Sequence, residues 1–76
     1  GCLGVLHDDG TLAGIFTDGD LRRALKDSAA AANFFTQSID AVMTKNPKTI
    51  SADALAPEAV QVMNEKSITN LFALDD

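Results

Sequence analysis

The chain has 76 residues, of which 46% are hydrophobic, and its six basic and eleven acidic residues give a formal net charge of −5. This length predicts one small domain with a thin core. The acidic balance and the absence of Trp and Tyr disfavour nucleic-acid binding, which needs basic surface and aromatic stacking. No apolar run approaches the roughly 18 residues of a membrane span. The single cysteine, Cys2, excludes an internal disulfide, so we expect a cytoplasmic protein without a membrane partner.

The first third of the chain predicts a β-hairpin followed by a helix. Residues 2–6 and 11–16 are apolar runs, and the Asp-Asp-Gly sequence at residues 8–10 is typical of a hairpin turn. Thr17 is suited to cap a helix over residues 18–26, which has acids in its first turn and bases in its last. The expected buried face of this helix is apolar: Leu21, Ala24 and Leu25.

The middle of the chain has weaker signals. Residues 28–38 show neither strand nor helix periodicity and predict a linker, although their alanines could also extend the first helix. Residues 39–43 could form one helical turn. Asn46 is expected to be extended, because the following Pro47 disfavours a helical conformation at that position.

A second helix is predicted to begin between Asp53 and Pro57 and to end near Lys66, since proline is tolerated in a first helical turn. Short extended stretches at residues 48–50 and 69–74 flank it. Its expected buried face is Leu55, Ala59, Val62 and Met63. Helices that alternate with short strands predict an α/β or α+β fold in which the helices pack on a small sheet.

Two stretches suggest an internal repeat. Residues 5–9 and 72–76 read VLHDD and FALDD, so each places two acids after apolar residues. The match predicts the back half of one repeat unit followed by the front half of the next. We therefore expect the chain to be a fragment of a longer protein.

The strand-to-helix turn at residues 14–20 is the best candidate for chemistry. A Thr17 hydroxyl could donate to a phosphate oxygen, Asp20 could accept from sugar hydroxyls, and Gly14 would allow a close approach of the backbone. The alternative is purely structural, because Thr17 and Asp20 have the spacing of a capping box that needs no ligand. The two interpretations are compatible. Arg22 and Arg23 predict an exposed face, from which an arginine could reach an anionic group.

An enzymatic alternative uses the same turn. A strand followed by Asp18-Gly19-Asp20 is similar to the paired aspartates of haloacid-dehalogenase-type phosphatases, although Leu21 departs from that pattern. With one cysteine and one histidine, the chain cannot assemble a zinc site. We expect no metal site and no catalytic residue.

Three segments resemble the CBS domain. Residues 14–21 resemble its strand-to-helix signature of Gly, an apolar residue, any residue, Thr or Ser, two of any kind, and Asp. Residues 42–50 resemble the entry to a second CBS motif, and residues 59–63 with Ile68-Thr69 are similar to the helix and strand that follow it. The longer string GIFTDGDLRR resembles the paired CBS region of bacterial D-arabinose 5-phosphate isomerases of the sugar-isomerase superfamily.

The resemblance implies a CBS-type fold, with a small sheet and packed helices, cut from a tandem CBS pair. Residues 1–27 would be the C-terminal half of the first motif, residues 28–38 a linker, and residues 39–76 the N-terminal half of the second.

It also implies regulation by a bound nucleotide and not catalysis. Thr17 would contact the phosphate and Asp20 the ribose hydroxyls, near a turn at Gly14. Ile15 and Phe16 would lie near the base. The entry region of the second motif, which lines that motif's own site, would contribute Thr44, Thr49 and Ile50.

The implied ligand is AMP, ATP or a sugar acid linked to CMP, with no required cofactor. The implied parent protein carries a sugar-isomerase catalytic domain and interconverts ribulose 5-phosphate and arabinose 5-phosphate on the way to lipopolysaccharide. CBS pairs would make it a homo-oligomer, commonly a dimer. The alternative from the same residues is an oligomerisation module that binds no ligand.

Overall fold

The computed structural model describes residues 1–75; Asp76, the last residue of the predicted repeat match, lies outside the described residues. The elements are β1 (Cys2–Leu6), β2 (Leu12–Thr17), α1 (Asp18–Ala24), α2 (Ser28–Phe34), α3 (Ile39–Val42), β3 (Thr44–Lys45), β4 (Thr49–Ser51), α4 (Ala56–Lys66) and β5 (Phe72–Leu74). Helices and small sheets are mixed along the chain, which confirms the predicted α+β class. Within the described residues, every helix is too short or too polar to span a bilayer.

The predicted hairpin is confirmed and forms most of the first sheet. β1 and β2 pair antiparallel, with Gly4 opposite Ile15. Gly10 closes the turn with a φ of 90°, in the left-handed region that glycine adopts without steric penalty. β3 then pairs with the other edge of β2, with Thr44 opposite Ile15, and gives the order β1-β2-β3. This two-residue strand is too short to show a periodicity in the sequence.

The second sheet consists of β4 and β5, which run parallel and are joined by α4. This helix begins and ends close to the predicted limits, with Pro57 in its first turn and Ser67 as a left-handed C-cap. The Phe72 side chain joins the two sheets, because a Cβ atom built on Gly4 would lie 2.6 Å from its ring. Only glycine leaves room for the ring at this position of β1.

The predicted buried helix faces are wrong in part. Leu21 and Leu25 are 37% and 40% exposed, and Leu55 at the start of α4 is 68% exposed. Among the described residues no hydrophobic side chain is fully buried, whereas Asp20 is only 4% exposed. The cause is the shape: the chain measures 43 × 30 × 16 Å. A thickness of this order holds about one helix on one sheet, so the outer helix faces have no partner.

Two further expectations are corrected. Residues 28–34 are not irregular: the alanines form α2, a separate helix capped by Asp27, whose carboxylate accepts from the Ala30 N–H at 2.8 Å. Asn46 is not extended but has a φ of 53°, a left-handed conformation that asparagine adopts more readily than most residues. The division into two motif halves and a linker stays a prediction.

Candidate functional site

A cleft of about 640 Å³ lies where the two sheets approach each other. One wall consists of residues 17–19 and 22–23, at and within α1. The other consists of residues 46–48, before β4, and residues 67–70, before β5. Ile15 and Thr44, which are paired on the first sheet, also line the cleft. The volume is within the range of pockets that hold small molecules.

Thr17 and Asp20 form the predicted capping box at the start of α1. The Thr17 N–H donates to Asp20 Oδ2 at 2.8 Å, and the Thr17 hydroxyl donates to the same oxygen at 3.1 Å. In return the Asp20 N–H donates to Thr17 Oγ1 at 3.2 Å. These bonds satisfy backbone donors that a helix leaves unpaired at its start. The structural interpretation of the Thr17–Asp20 pair is therefore confirmed.

The second carboxylate oxygen of Asp20, Oδ1, accepts hydrogen bonds from two different elements. Thr44 Oγ1 donates to Asp20 Oδ1 at 2.7 Å, and Arg23 Nη2 donates to it at 2.5 Å. The Asp20 side chain is 3% exposed, whereas that of Arg23 is 69% exposed. Asp20 therefore joins α1 to β3, two elements that both contribute residues to the cleft lining.

The environment of Asp20 favours its ionised form. Burial raises the pKa of this carboxyl, but the hydrogen bonds from Thr44, Thr17 and Arg23 together outweigh burial and leave the pKa below its ordinary value. The carboxylate is thus held charged by donors on two elements.

Cationic side chains form part of the cleft lining. Arg22, Arg23 and Lys48 all line it, although the chain as a whole has a net charge of −5. Asp18 also lines it. Three cations at one cleft favour an anionic ligand such as a phosphate.

The structure separates the predicted site residues into two groups. Ile15, Thr17 and Thr44 line the cleft together, so Thr44 lies beside the first site and not only in the second motif. The others lie outside the cleft wall: Gly14, Phe16, Asp20, Thr49 and Ile50. Their ligand roles stay predictions.

The residues outside the cleft lie against or pair with other parts of the fold. Gly14 is buried, and a Cβ atom there would lie 2.7 Å from both Met43 Sδ and the Thr44 carbonyl oxygen. Phe16 lines an adjacent groove with Leu21. Thr49 and Ile50 pair with β5 in the second sheet.

Lys48 and the segment 67–70 also line the cleft, although neither was predicted to be part of a site. Lys48 is a lone cation in a short extended stretch, and residues 67–70 lie between the end of the predicted helix and the first residues of the predicted strand. The two segments meet through the parallel pairing of β4 and β5, which is not visible in a local pattern. A left-handed Ser67 at the end of α4 turns the chain toward the cleft.

The phosphatase interpretation does not fit this geometry. Asp18 is at the cleft, whereas the Asp20 carboxylate is buried and bonded to protein donors, so the two acids do not face a shared substrate position. In residues 1–75, no three His, Cys, Asp or Glu side chains are grouped so that they could hold a metal ion.

Comparison with known families decides the affiliation. The CBS domain family matches residues 39–76, which is half of the chain. The chain belongs to the CBS domain family. The matched residues 39–76 of this CBS chain include Thr44, Lys48 and residues 67–70, all of which line the cleft.

Curated relatives of the CBS chain include named enzymes. It is 46% identical over 71 residues to the arabinose 5-phosphate isomerase KdsD of Pseudomonas aeruginosa, covering 93% of this chain and 21% of the relative. It is 46% identical over 73 residues to KdsD of Francisella tularensis, covering 95% of this chain and 21% of that relative. A probable arabinose 5-phosphate isomerase of Haemophilus influenzae is 40% identical over 65 residues, and the match covers 86% of this chain and 19% of that relative. The chain therefore spans about a fifth of the length of these relatives. No solved structure matches it.

Proposed function

We propose that this CBS chain is the regulatory, nucleotide-binding part of an arabinose 5-phosphate isomerase. The observation that carries the proposal is the cationic cleft at Thr17, with Arg22, Arg23 and Lys48 around it. The named relatives support the isomerase context, because they match nearly all of the chain.

The cleft offers complementary groups for each part of a nucleotide. The cationic side chains suit a phosphate, since charge-assisted hydrogen bonds to phosphate are strong. The Thr17 hydroxyl would have to rotate its proton away from Asp20 Oδ2 to donate to the same phosphate. Ile15, Pro47 and Ile68 supply apolar surface for a base. Asn70 supplies an amide that can bond a sugar or a base edge.

The family resemblance assigns the ribose hydroxyls to Asp20 and the base to Ile15 and Phe16. For Asp20, this role requires the hydroxyls to displace Arg23 or Thr44 from its carboxylate, because both already donate to Oδ1. Thr49 and Ile50 would act in the site of the second motif, at the β4 strand.

The wider proposal concerns the whole protein. A sugar-isomerase catalytic domain would interconvert ribulose 5-phosphate and arabinose 5-phosphate in the cytoplasm, and the CBS pair would report the level of a nucleotide. A sugar acid linked to CMP is a logical feedback signal, because it combines a nucleotide half with the end product of a lipopolysaccharide precursor pathway.

An isomerase assay on the intact protein tests this proposal. Formation of arabinose 5-phosphate from ribulose 5-phosphate is measured alone and with saturating AMP, ATP, CMP or the CMP-linked sugar acid. We expect at least one of the four to change the rate. A protein without isomerase activity, or a rate that none of the four alters, would contradict the proposal.

Exposed apolar side chains favour a second candidate, an oligomerisation module that binds no ligand. Leu3, Leu6, Phe35 and Leu55 are 57%, 61%, 82% and 68% exposed. Such surface is typical of a chain that packs against a partner. A monomeric mass by light scattering of the intact protein would contradict this candidate and also the proposed homo-oligomer.

A further inference from the structure

We propose that Met43 is a peroxide-sensitive site and that oxidation of its sulfur to the sulfoxide loosens the nucleotide cleft. Met43 is the residue between α3 and β3, directly before Thr44. The effect on affinity rests on the proposed nucleotide function, whereas the effect on stability does not.

The Met43 thioether packs on the central strand of the first sheet. Met43 Sδ lies 2.7 Å, and the Met43 methyl carbon 3.1 Å, from the position that a Cβ atom on Gly14 would occupy. Gly14 is buried on β2, which has β1 on one side and β3 on the other. The thioether therefore fills the space that a side chain at residue 14 would take. A flexible methionine suits such an irregular gap.

A side cavity of about 540 Å³ gives solvent access to Met43, which is half-buried. This volume is many times that of a water molecule, and hydrogen peroxide is little larger than water. Of the described residues, only Asn46 lines both the side cavity and the nucleotide cleft. The other residues of the side cavity come from β1, the hairpin turn, β2, α3 and β3: Val5, Leu6, His7, Asp8, Ala13, Asp40 and Lys45.

Met63 on α4 is the other methionine of the chain and provides an internal comparison. It is also half-buried, but within residues 1–75 it lines neither the side cavity nor the nucleotide cleft. Its helix connects the two strands of the second sheet. Oxidation of Met63 should therefore leave β3 in place.

The oxidation is a single oxygen-atom transfer. A sulfur lone pair of Met43 attacks one peroxide oxygen, the O–O bond breaks and an S–O bond forms. The departing hydroxide takes the proton from the transferred oxygen to give water, so sulfur loses two electrons and the peroxide gains them. The sulfoxide is polar and chiral, and methionine sulfoxide reductases convert it back. The added oxygen enlarges a group that already fills the space beside Gly14, so we expect the side chain to withdraw from the strand.

Displacement of Met43 moves Thr44, the next residue. Thr44 pairs with Ile15 on β2, and both residues line the nucleotide cleft. The Thr44 hydroxyl also donates to Asp20 at 2.7 Å and so connects β3 to α1. A shift of the two-residue strand β3 therefore breaks this hydrogen bond and changes the lining of the cleft.

Peroxide treatment of the intact protein tests the inference in wild type, Met43→Leu and Met63→Leu. Leucine has a similar volume to methionine and carries no sulfur. After treatment, a thiol reductant reverses the reversible products at cysteine and leaves methionine sulfoxide. Peptide mass spectrometry then measures the sulfoxide at each methionine, and thermal unfolding measures stability without ligand. Calorimetry measures affinity for AMP, ATP, CMP and the CMP-linked sugar acid.

We expect the sulfoxide to form faster at Met43 than at Met63. Peroxide should weaken nucleotide binding by wild type and by Met63→Leu about 5- to 10-fold, as loss of one hydrogen bond predicts, and should lower the unfolding temperature of both. Met43→Leu should keep its affinity and its unfolding temperature after the same treatment. Methionine sulfoxide reductases should restore the wild type.

Equal losses in all three proteins would overturn the inference, as would sulfoxide that forms at Met63 before Met43. If Met43→Leu does not fold, the wild type decides. Recovery of its affinity and stability in step with reduction of the Met43 sulfoxide supports the inference, and reduction without recovery overturns it.

A wild type that binds none of the four probes would contradict the proposed nucleotide function. The unfolding temperature still decides the role of Met43 in that case. A fall confined to the proteins that keep Met43 supports the peroxide-sensitive site, and an equal fall in all three overturns it.

Discussion

Replacement of Asp20 with alanine is expected to lower the free energy of unfolding by about 2–4 kcal/mol. The substitution removes the acceptor of four hydrogen bonds, two from Thr17 and one each from Thr44 and Arg23. It also removes the Asp20 half of the capping box of α1 and the link of α1 to β3. Urea unfolding of the variant measures the loss. Asp53→Ala is the matched control, since Asp53 is exposed and should change stability by less than about 0.5 kcal/mol.

The contribution of Asp20 to the free energy of unfolding should decrease at low pH. Because its pKa is lowered in the folded state, the carboxylate contributes stability above the pKa of the unfolded chain. This contribution is lost as the pH falls through the folded-state pKa. Asp9 also has a lowered pKa, through the Thr11 hydroxyl, so Asp20→Asn should reduce the acid-induced loss and not abolish it. An unfolding free energy with the same pH dependence in wild type and Asp20→Asn would contradict this role.

Replacement of Phe72 with alanine is expected to destabilise the protein by about 2–3 kcal/mol, somewhat less than a fully buried phenylalanine. Its ring fills the space above Gly4 and connects the second sheet to the first. The cleft lies between parts of both sheets, so nucleotide affinity should fall as well. Urea unfolding and a nucleotide titration measure the two effects.

Phe35→Ala provides the matched control for Phe72→Ala. Phe35 is 82% exposed and keeps an edge-to-face contact with Phe34 at a ring separation of 5.6 Å. Its loss should change stability by less than about 1 kcal/mol. Equal losses for the two variants would show that the ring of Phe72 does not join the sheets.

Local signals were sufficient to predict several elements. The Asp-Asp-Gly turn and its flanking apolar runs predict the hairpin, and the Thr17–Asp20 spacing predicts the cap of α1. Pro57 and the apolar spacing after it predict α4. Each of these features depends on residues close together in the sequence, where backbone preferences act directly.

The remaining features depend on contacts between distant residues. The hydrogen bond from Thr44 to Asp20 joins residues 24 positions apart, so no local spacing reveals it. Burial was overestimated at Leu21 and Leu55, because an apolar helix stripe indicates a partner surface but not whether the same chain supplies it. The cationic cleft arises in the same way, from the approach of Lys48 to α1.

Calorimetric titration of AMP, ATP, CMP and the CMP-linked sugar acid into the intact protein tests the central claim most directly. The wild type should bind at least one of them, and Thr17→Ser, which keeps the hydroxyl, should bind it similarly. Thr17→Val, which lacks the hydroxyl, should bind about tenfold more weakly at a temperature where it remains folded. Binding of none of the four by the wild type, or equal binding by Thr17→Val, would contradict a nucleotide site at this cleft.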